Sequence, residues 1–244
     1  MLLKQGTHSI TRVFFMLVAG IVSIAAAPVQ GSDTSANVRF VVETSAGKPL
    51  RDVVITLTTE ALSNSEAPSN SEARTHIMDQ VQSQFLPHVL AIRAGDQVEF
   101  PNSDNIRHHV YSFSEAKPFE IRLYADKPEA PVSFATPGLV VLGCNIHDQM
   151  LGYIYVSPKA DQSVVTDPRG QATVEILAPL TTVRLWHERL SVDESYQKIL
   201  SAAELEGLRN KDGDFVIAVD PEIPAPADTV SPDSASGFGN SMRR

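Results

Sequence analysis

The residues best suited to chemistry lie in one short stretch, Cys144 to Met150, which reads CNIHDQM. It contains the single cysteine of the chain and places a thiol, an imidazole and a thioether at a C-x2-H-x2-M spacing. Soft sulfur ligands select copper over hard cations, and a blue-copper site combines two histidines and a cysteine in a near-trigonal plane with a weak axial methionine. This stretch therefore supplies three of the four side chains that such a site needs.

The fourth ligand must come from another part of the chain, and the best candidate is one of two adjacent histidines, His108 and His109. They open a β-like run after the polar loop that follows Phe100. Successive side chains of a strand point to opposite faces, so we expect one of the two to face the other ligands. Periodicity alone does not decide which histidine that is.

The stretch from Pro137 to Val156, PGLVVLGCNIHDQMLGYIYV, resembles the copper-loop signature of the cupredoxins, of the plastocyanin and amicyanin type. The shared pattern is P-G, five residues, Cys, two residues, His, two residues and Met, then x-G-x-[IV]-x-V. The segment RHHVYSF resembles the P-H-N-V segment of the same family, and this resemblance makes His108 the ligand and His109 a residue that ties the ligand loops together. The chain departs from plastocyanin at three positions, Arg107, Gly143 and Ile146.

The resemblance implies one mononuclear copper site held by His108, Cys144, His147 and Met150. It implies one-electron, outer-sphere electron transfer between Cu(II) and Cu(I), with the edge of His147 as the point of exchange. Such a protein is not an enzyme, and its partner would be a redox protein such as a cytochrome or a dehydrogenase. The alternative is a periplasmic carrier or store of copper without a redox role.

Other catalytic classes fit the sequence less well. Copper oxidases and nitrite reductases need further copper centres, usually with H-x-H pairs, and the sequence contains no such pair. Hydrolysis by a cysteine nucleophile would use Cys144 and His147 but would leave His108 and Met150 unexplained. Three more histidines are outside candidates for metal contact, namely His76, His88 and His187.

The elements that must position these residues read as short strands separated by turn signals, which is typical of a β-sandwich. Residues 139–144 predict a strand with Val140, Leu142 and Cys144 on one face, and residues 145–152 predict a tight loop after it. Residues 38–44 and 52–59 predict a hairpin-like antiparallel pair. Together with the family resemblance, this pattern predicts an all-β, cupredoxin-like Greek-key sandwich with a small C-terminal β appendage.

Four segments are predicted along the chain. Residues 1–31 read as a secretory signal, with basic Lys4 and Arg12 before an apolar run, which predicts a periplasmic protein; an uncleaved N-terminal anchor is the alternative. Residues 32–158 are the predicted cupredoxin domain. Residues 159–220 resemble part of a carboxypeptidase-regulatory-like β segment, with helix-forming composition over residues 192–209, and residues 221–244 predict a disordered tail.

The charge of the chain favours some partners over others. The net charge is −9, and removal of residues 1–31 would take away two basic residues and no acidic ones, moving it to −11. An acidic protein is poorly suited to nucleic acid, whose binding depends on phosphate neutralisation, and is better suited to a basic protein partner.

The region from Val38 to Leu190 also resembles bacterial proteins labelled methylamine utilisation protein.

Overall fold

A computed structural model describes residues 35–60, 72–128, 130–176, 178–191 and 197–221. The predicted signal segment, residues 61–71 and nearly all of the predicted C-terminal tail lie outside the described residues. Within the described residues, no helix combines the length and the apolar character needed to cross a membrane. The described residues fold into short strands, so the predicted all-β class is confirmed.

The first nine strands cover the chain up to the predicted copper loop. Their bounds are β1 (Ala36–Glu43), β2 (Val54–Thr59), β3 (Thr75–Ile77), β4 (Asp79–Val81), β5 (Gln84–Leu86), β6 (Val89–Arg93), β7 (Gln97–Glu99), β8 (His108–Ser112) and β9 (Phe119–Tyr124).

The remaining elements cover the predicted loop and the C-terminal segment. They are β10 (Val132–Ser133), β11 (Gly138–Cys144), β12 (His147–Ser157), β13 (Gln162–Val165), β14 (Gln171–Ile176), β15 (Leu180–Trp186), β16 (Lys198–Ser201), the short helix α1 (Ala202–Glu206) and β17 (Phe215–Ala218). Helix α1 begins with a capping box in which Ser201 and Glu204 bond each other's backbone N–H.

One pair of sheets encloses the predicted metal-binding region. A five-stranded sheet has the order β6-β12-β11-β8-β9, and a three-stranded sheet has the order β10-β7-β3. Their inward side chains form one buried cluster that includes Val98, Val110, Val140 and Ile154. Burial of apolar area stabilises such a sandwich by about 25 cal/mol for each Å² removed from water.

A second pair of sheets is built from both ends of the described chain. Strand β1 lies between β14 and β17, and β2 lies between β13 and β15, with β16 beyond β15. The predicted hairpin-like pairing of residues 38–44 with residues 52–59 is therefore wrong. Both runs have the alternation of half-buried strands, but their partners come from more than 100 residues later in the chain, and periodicity carries no information about partners.

A third buried cluster connects the two pairs of sheets. Trp186 of β15 packs against Tyr153 and Tyr155 of β12 with tilted rings, at ring-centroid distances of 5.6 and 6.0 Å. Val54 of β2 and Leu139 of β11 belong to the same cluster. Trp186 is 1% exposed and is the largest side chain of this cluster. The predicted division of the chain at residue 158 stays a prediction, and both sheets of the second pair cross it.

Candidate metal centre

Three donor atoms from two parts of the chain meet at one end of the five-stranded sheet. Cys144 Sγ lies 3.7 Å from His108 Nδ1 and 3.8 Å from His147 Nδ1. Among the residues that the structure describes, these three form the one group of histidine, cysteine and acidic side chains whose donor atoms all lie within 4.8 Å of one another. The structure thus brings together the three predicted ligands of the trigonal plane.

His108 is aimed by the alternation of strand β8. Positions 108, 110 and 112 are buried, whereas positions 109 and 111 are partly exposed. The His108 side chain therefore points into the sandwich beside Val110, with no exposed surface. His109 points to the opposite face, where its Nε2 lies 3.1 Å from Glu120 Oε1 and its ring lies edge-on to Tyr111.

Cys144 is aimed by strand β11 in the way that the sequence predicts. Val140, Leu142 and Cys144 all belong to the cluster inside the sandwich, whereas Leu139 belongs to the cluster on the other face. Gly143 pairs with Tyr111 of β8, and this pairing brings the end of β11 beside the strand that carries His108. The two ligands therefore converge because neighbouring antiparallel strands place them on the same inward face.

The connection after Cys144 is shorter than predicted. The sequence predicts a loop over residues 145–152, but β12 already begins at His147 and pairs with Cys144. A bulge in β12 takes the place of the predicted loop. Cys144 pairs with His147 and Gly143 pairs with Leu151, so the three residues 148–150 have no partners on β11. Bulges redirect side chains at the ends of sheets, and this one allows His147 and Met150 to belong to one strand.

Met150 is the last unpaired residue of this bulge. Only 1% of its surface is exposed, and it belongs to the same buried cluster as Cys144. The exposed apolar residues in this part of the chain are Ile146 and Leu151. A role for the Met150 thioether as the fourth ligand stays a prediction.

The three outside candidates have partners of their own. His76 Nε2 lies 2.9 Å from Asp96 Oδ2, and His88 Nε2 lies 2.9 Å from Glu188 Oε2. His187 is buried, and its Nδ1 accepts a hydrogen bond from the Arg189 backbone N–H. None of these three belongs to the donor group around Cys144.

A carboxylate stands behind His108, and the sequence patterns do not identify it. Asp104 Oδ2 lies 2.7 Å from His108 Nε2. Burial alone would raise the pKa of Asp104, but hydrogen bonds from the Ser83 N–H, from His108 and from the Gln82 N–H outweigh burial and hold that pKa below its usual value. Metal-binding histidines commonly donate their second N–H to a carboxylate. The sequence signal that pointed to Asp104 was therefore its position, as an acidic residue four positions before the predicted ligand His108.

Tyr124 lies on another side of the site. Burial, followed by the nearby charges of Asp79 and Cys144, raises the pKa of this phenol to about 12 despite a hydrogen bond with Gln80. The phenol therefore stays neutral at neutral pH, and it donates a hydrogen bond of 2.7 Å to the Phe100 carbonyl. It supports the loop before His108 without adding a charge.

The spacing of the three donors can be compared with that of ligands around one ion. Sulfur at about 2.3 Å and nitrogen at about 2.05 Å from a common centre lie about 3.8 Å apart when the angle between them is about 120°, and about 3.6 Å apart at a tetrahedral angle. The observed sulfur–nitrogen separations of 3.7 and 3.8 Å lie within the range of these two values. The residues present therefore fit one metal ion bound by one thiolate and two imidazoles.

Comparison with known proteins gives matches among solved structures alone. No protein-family model matches the chain, and no curated protein matches it. A Cu-containing nitrite reductase from Thermus scotoductus SA-01 is 28% identical, with a TM-score of 0.33 over 41% of this chain and 26% of that chain. A purple cupredoxin from Nitrosopumilus maritimus is 20% identical, with a TM-score of 0.30 over 34% of this chain and 99% of that chain.

A third match is a mutant of amicyanin in its reduced Cu(I) form. It is 17% identical, with a TM-score of 0.31 over 41% of this chain and 97% of that chain. These structural neighbours are cupredoxins or, for the nitrite reductase, a copper enzyme of which this chain spans about a quarter. Because each likeness covers less than half of this chain, the choice of metal rests on the donor atoms themselves.

Proposed function

We propose that this chain is a type 1 copper protein that transfers single electrons in the periplasm. One observation carries the proposal: a buried thiol and two imidazole nitrogens lie at separations suited to three ligands of one metal ion. Two histidines and a cysteine in that arrangement, with a weak axial thioether, are the donor set of blue-copper sites. Zinc would accept the same three ligands, but a methionine in the same buried cluster favours copper, which binds soft sulfur.

Each ligand would have a separate task. Cys144, His108 and His147 would hold one copper ion, and the Met150 thioether would be a fourth, weaker donor. The bound metal would supply a reversible one-electron couple. The protein would keep the geometry constant between oxidation states, because Cys144 and His108 are fixed by strands and are 3% and 0% exposed.

Electron exchange would occur at the edge of His147. This imidazole is half-buried, whereas His108 is fully buried, so His147 offers the shorter route to solvent. Ile146 and Leu151 near it in the chain are 50% and 43% exposed, and an apolar surface beside the exposed ligand would suit contact with a protein partner. We infer that this small apolar surface contacts a redox partner such as a cytochrome or a dehydrogenase.

The net charge of −9 supports a partner with a basic surface, because opposite charges speed encounter. The apolar run over residues 13–27, preceded by basic residues, supports export to the periplasm. We place the protein among electron carriers rather than enzymes, because one thiol and two imidazoles, with a methionine in the same buried cluster, are the donor set of copper sites that transfer electrons.

The test is to add Cu(II) to the purified protein without residues 1–31 and to record visible absorption and electron paramagnetic resonance. We expect an intense blue charge-transfer band from the thiolate–copper bond, at one copper per chain, and its complete loss in Cys144→Ala. The matched control is His109→Ala, which changes the neighbouring histidine that points to the other face and should keep the band.

Two results would contradict the proposal. A colourless complex, or a band that survives Cys144→Ala, would exclude a thiolate–copper site. A blue complex that gives no reversible couple in voltammetry, but passes Cu(I) to a metal-free acceptor protein, would favour the copper carrier instead.

A further inference from the structure

The two nitrogens of the His108 ring face different groups. Nδ1 lies 3.7 Å from Cys144 Sγ, and Nε2 lies 2.7 Å from Asp104 Oδ2. An ionised carboxylate accepts hydrogen bonds and cannot donate them, so the proton of the neutral ring must lie on Nε2. Nδ1 then keeps its lone pair directed towards the thiol.

The Asp104 carboxylate is itself held by backbone groups. Its Oδ1 accepts a hydrogen bond of 2.6 Å from the Gln82 N–H, and its Oδ2 accepts one of 2.8 Å from the Ser83 N–H. Gln82 and Ser83 form the turn between β4 and β5, with φ angles of 52° and 56°. Successive backbone N–H groups that point to one side of a turn make a binding place for an anion.

The loop that carries Asp104 is also closed from within. The Asn102 side chain accepts a hydrogen bond from the Asp104 N–H and donates to the Ile106 and Tyr124 carbonyls. Asn102 is 6% exposed and Asp104 is partly buried, so water competes weakly for these bonds. The carboxylate is therefore fixed in position before any metal binds.

We propose that Asp104 is a positioning residue for the metal centre: it fixes His108 as an Nδ1 ligand and, by its negative charge, favours the oxidised form of bound copper. The second half of this proposal rests on the proposed function. A carboxylate that accepts the second N–H of a ligating histidine makes the ring a stronger donor, and loss of such a partner commonly costs about 10- to 100-fold in metal affinity. The stronger donor and the extra negative charge stabilise Cu(II) more than Cu(I).

The first test needs no metal. In the metal-free protein, nitrogen-15 NMR of the imidazoles should give His108 as the Nε2-protonated tautomer. In Asp104→Ala the His108 signals should move towards a mixture of tautomers. A His108 that is Nδ1-protonated in the unsubstituted protein would overturn the positioning role, whether or not copper binds.

The second test uses the copper-loaded protein and compares Asp104→Asn with Asp79→Asn. Asparagine keeps a hydrogen-bond acceptor near His108 but removes the charge. Asp79 is a matched control, because its carboxylate also accepts hydrogen bonds near this turn, from Ser103 and Gln80, without a hydrogen bond to His108. Each variant loses one negative charge from the same region of the protein.

We expect Asp104→Asn to lower the Cu(II) affinity about tenfold relative to the Cu(I) affinity, which raises the reduction potential by about 59 mV for a one-electron couple. Asp79→Asn should change the potential much less. An unchanged potential in Asp104→Asn, or an equal rise in both variants, would overturn the proposed effect of the charge. Failure of the unsubstituted protein to form a blue site would count against the proposed function instead, and the metal-free measurement would still decide the tautomer.

Discussion

At the residue scale, two of the proposed metal ligands are fixed by paired strands, and the positions of the other two depend on a bulge. His108 and Cys144 are inward residues of neighbouring strands, so their positions follow from the sheet. His147 precedes the three unpaired residues of β12 and Met150 is the last of them, so their positions depend on the path of the backbone there. We expect substitutions in the bulge to affect the properties of the metal more than the stability of the fold.

Met150→Leu tests the role assigned to the thioether. Leucine has a similar volume, so we expect the free energy of unfolding of the metal-free protein to fall by less than about 1.5 kcal/mol. The blue band should remain, because the thiolate is unchanged. The reduction potential should rise, because a weak donor that stabilises Cu(II) has been removed.

Voltammetry and absorption of the copper-loaded variant check this expectation. Met78→Leu is the control. Met78 is as buried as Met150 and belongs to the same cluster, but it lies between β3 and β4 and not in the bulge of β12. An equal shift of potential in both variants would mean that Met150 acts as packing and not as a ligand.

At the scale of elements, tight backbone contacts decide which strands become partners. Gly170 lies in the turn before β14, with a φ of +71°. Its carbonyl accepts a hydrogen bond of 2.7 Å from the Val42 N–H of β1. A Cβ atom at position 170 would clash with the Val42 carbonyl oxygen. The absence of a side chain there is therefore a condition for bringing β14 against β1.

Gly170→Ala should destabilise the protein more than Gly47→Ala. The two glycines have nearly equal φ angles, +71° and +74°, so alanine meets the same backbone strain of about 1–2 kcal/mol at both. Position 47 has no neighbouring atom within 4 Å of the added Cβ, whereas position 170 has the Val42 oxygen. We expect an extra loss of about 1–3 kcal/mol at position 170.

Urea unfolding of the two variants measures the difference directly. If the two variants lose the same free energy of unfolding, the added Cβ at position 170 is accommodated without strain. That result would contradict the close approach of β1 and the turn before β14.

At the scale of the whole molecule, an ion pair joins the two pairs of sheets. His88, which precedes β6, lies 2.9 Å from Glu188, which follows β15. The hydrogen bond with Glu188 raises the pKa of His88 although burial opposes it, and the bond with His88 lowers the pKa of Glu188. The ring of His88 also lies edge-on to Tyr153, one of the residues packed against Trp186.

The sign of the two pKa shifts predicts how stability changes with pH. A raised histidine pKa contributes stability that is complete below its ordinary value of 6.5 and is lost as the pH rises through the folded-state pKa above it. The lowered pKa of Glu188 contributes stability above its ordinary value of 4.5, which is lost as the pH falls through the folded-state pKa. The pair should therefore stabilise the protein most between about pH 4.5 and 6.5.

Glu188→Gln should remove this dependence. We expect the difference in free energy of unfolding between the unsubstituted protein and the variant to be largest near pH 5.5, at no more than about 1 kcal/mol because both side chains are partly exposed, and to shrink above neutral pH. The control is Glu99→Gln, whose partner Lys127 lies 2.9 Å away in a pair without histidine, so its difference should stay flat over this range. If the difference in free energy of unfolding for Glu188→Gln is also independent of pH, the ion pair makes no pH-dependent contribution to stability and the prediction is wrong.

Much of this protein could be predicted from its sequence. The period of two in residues 139–144 predicted that Cys144 faces the core, and the burial of Val140 and Leu142 beside it confirms the prediction. Strand periodicity depends on local backbone geometry, so it can be read directly from the order of residues. The ligand spacing C-x2-H-x2-M can be read in the same way, because the three residues lie within seven positions of one another.

Three features were decided by the tertiary structure. The inward orientation of His108, and not of His109, depends on which face of β8 is turned to the interior of the sandwich, and the position of Asp104 depends on a turn more than 20 residues earlier in the chain. The pairing of β1 and β2 with strands near the C-terminus depends on contacts across more than 100 residues. Local patterns determine which face of a strand is buried, but the neighbour that covers the face is determined by packing of the whole chain, because many strands offer the same alternation.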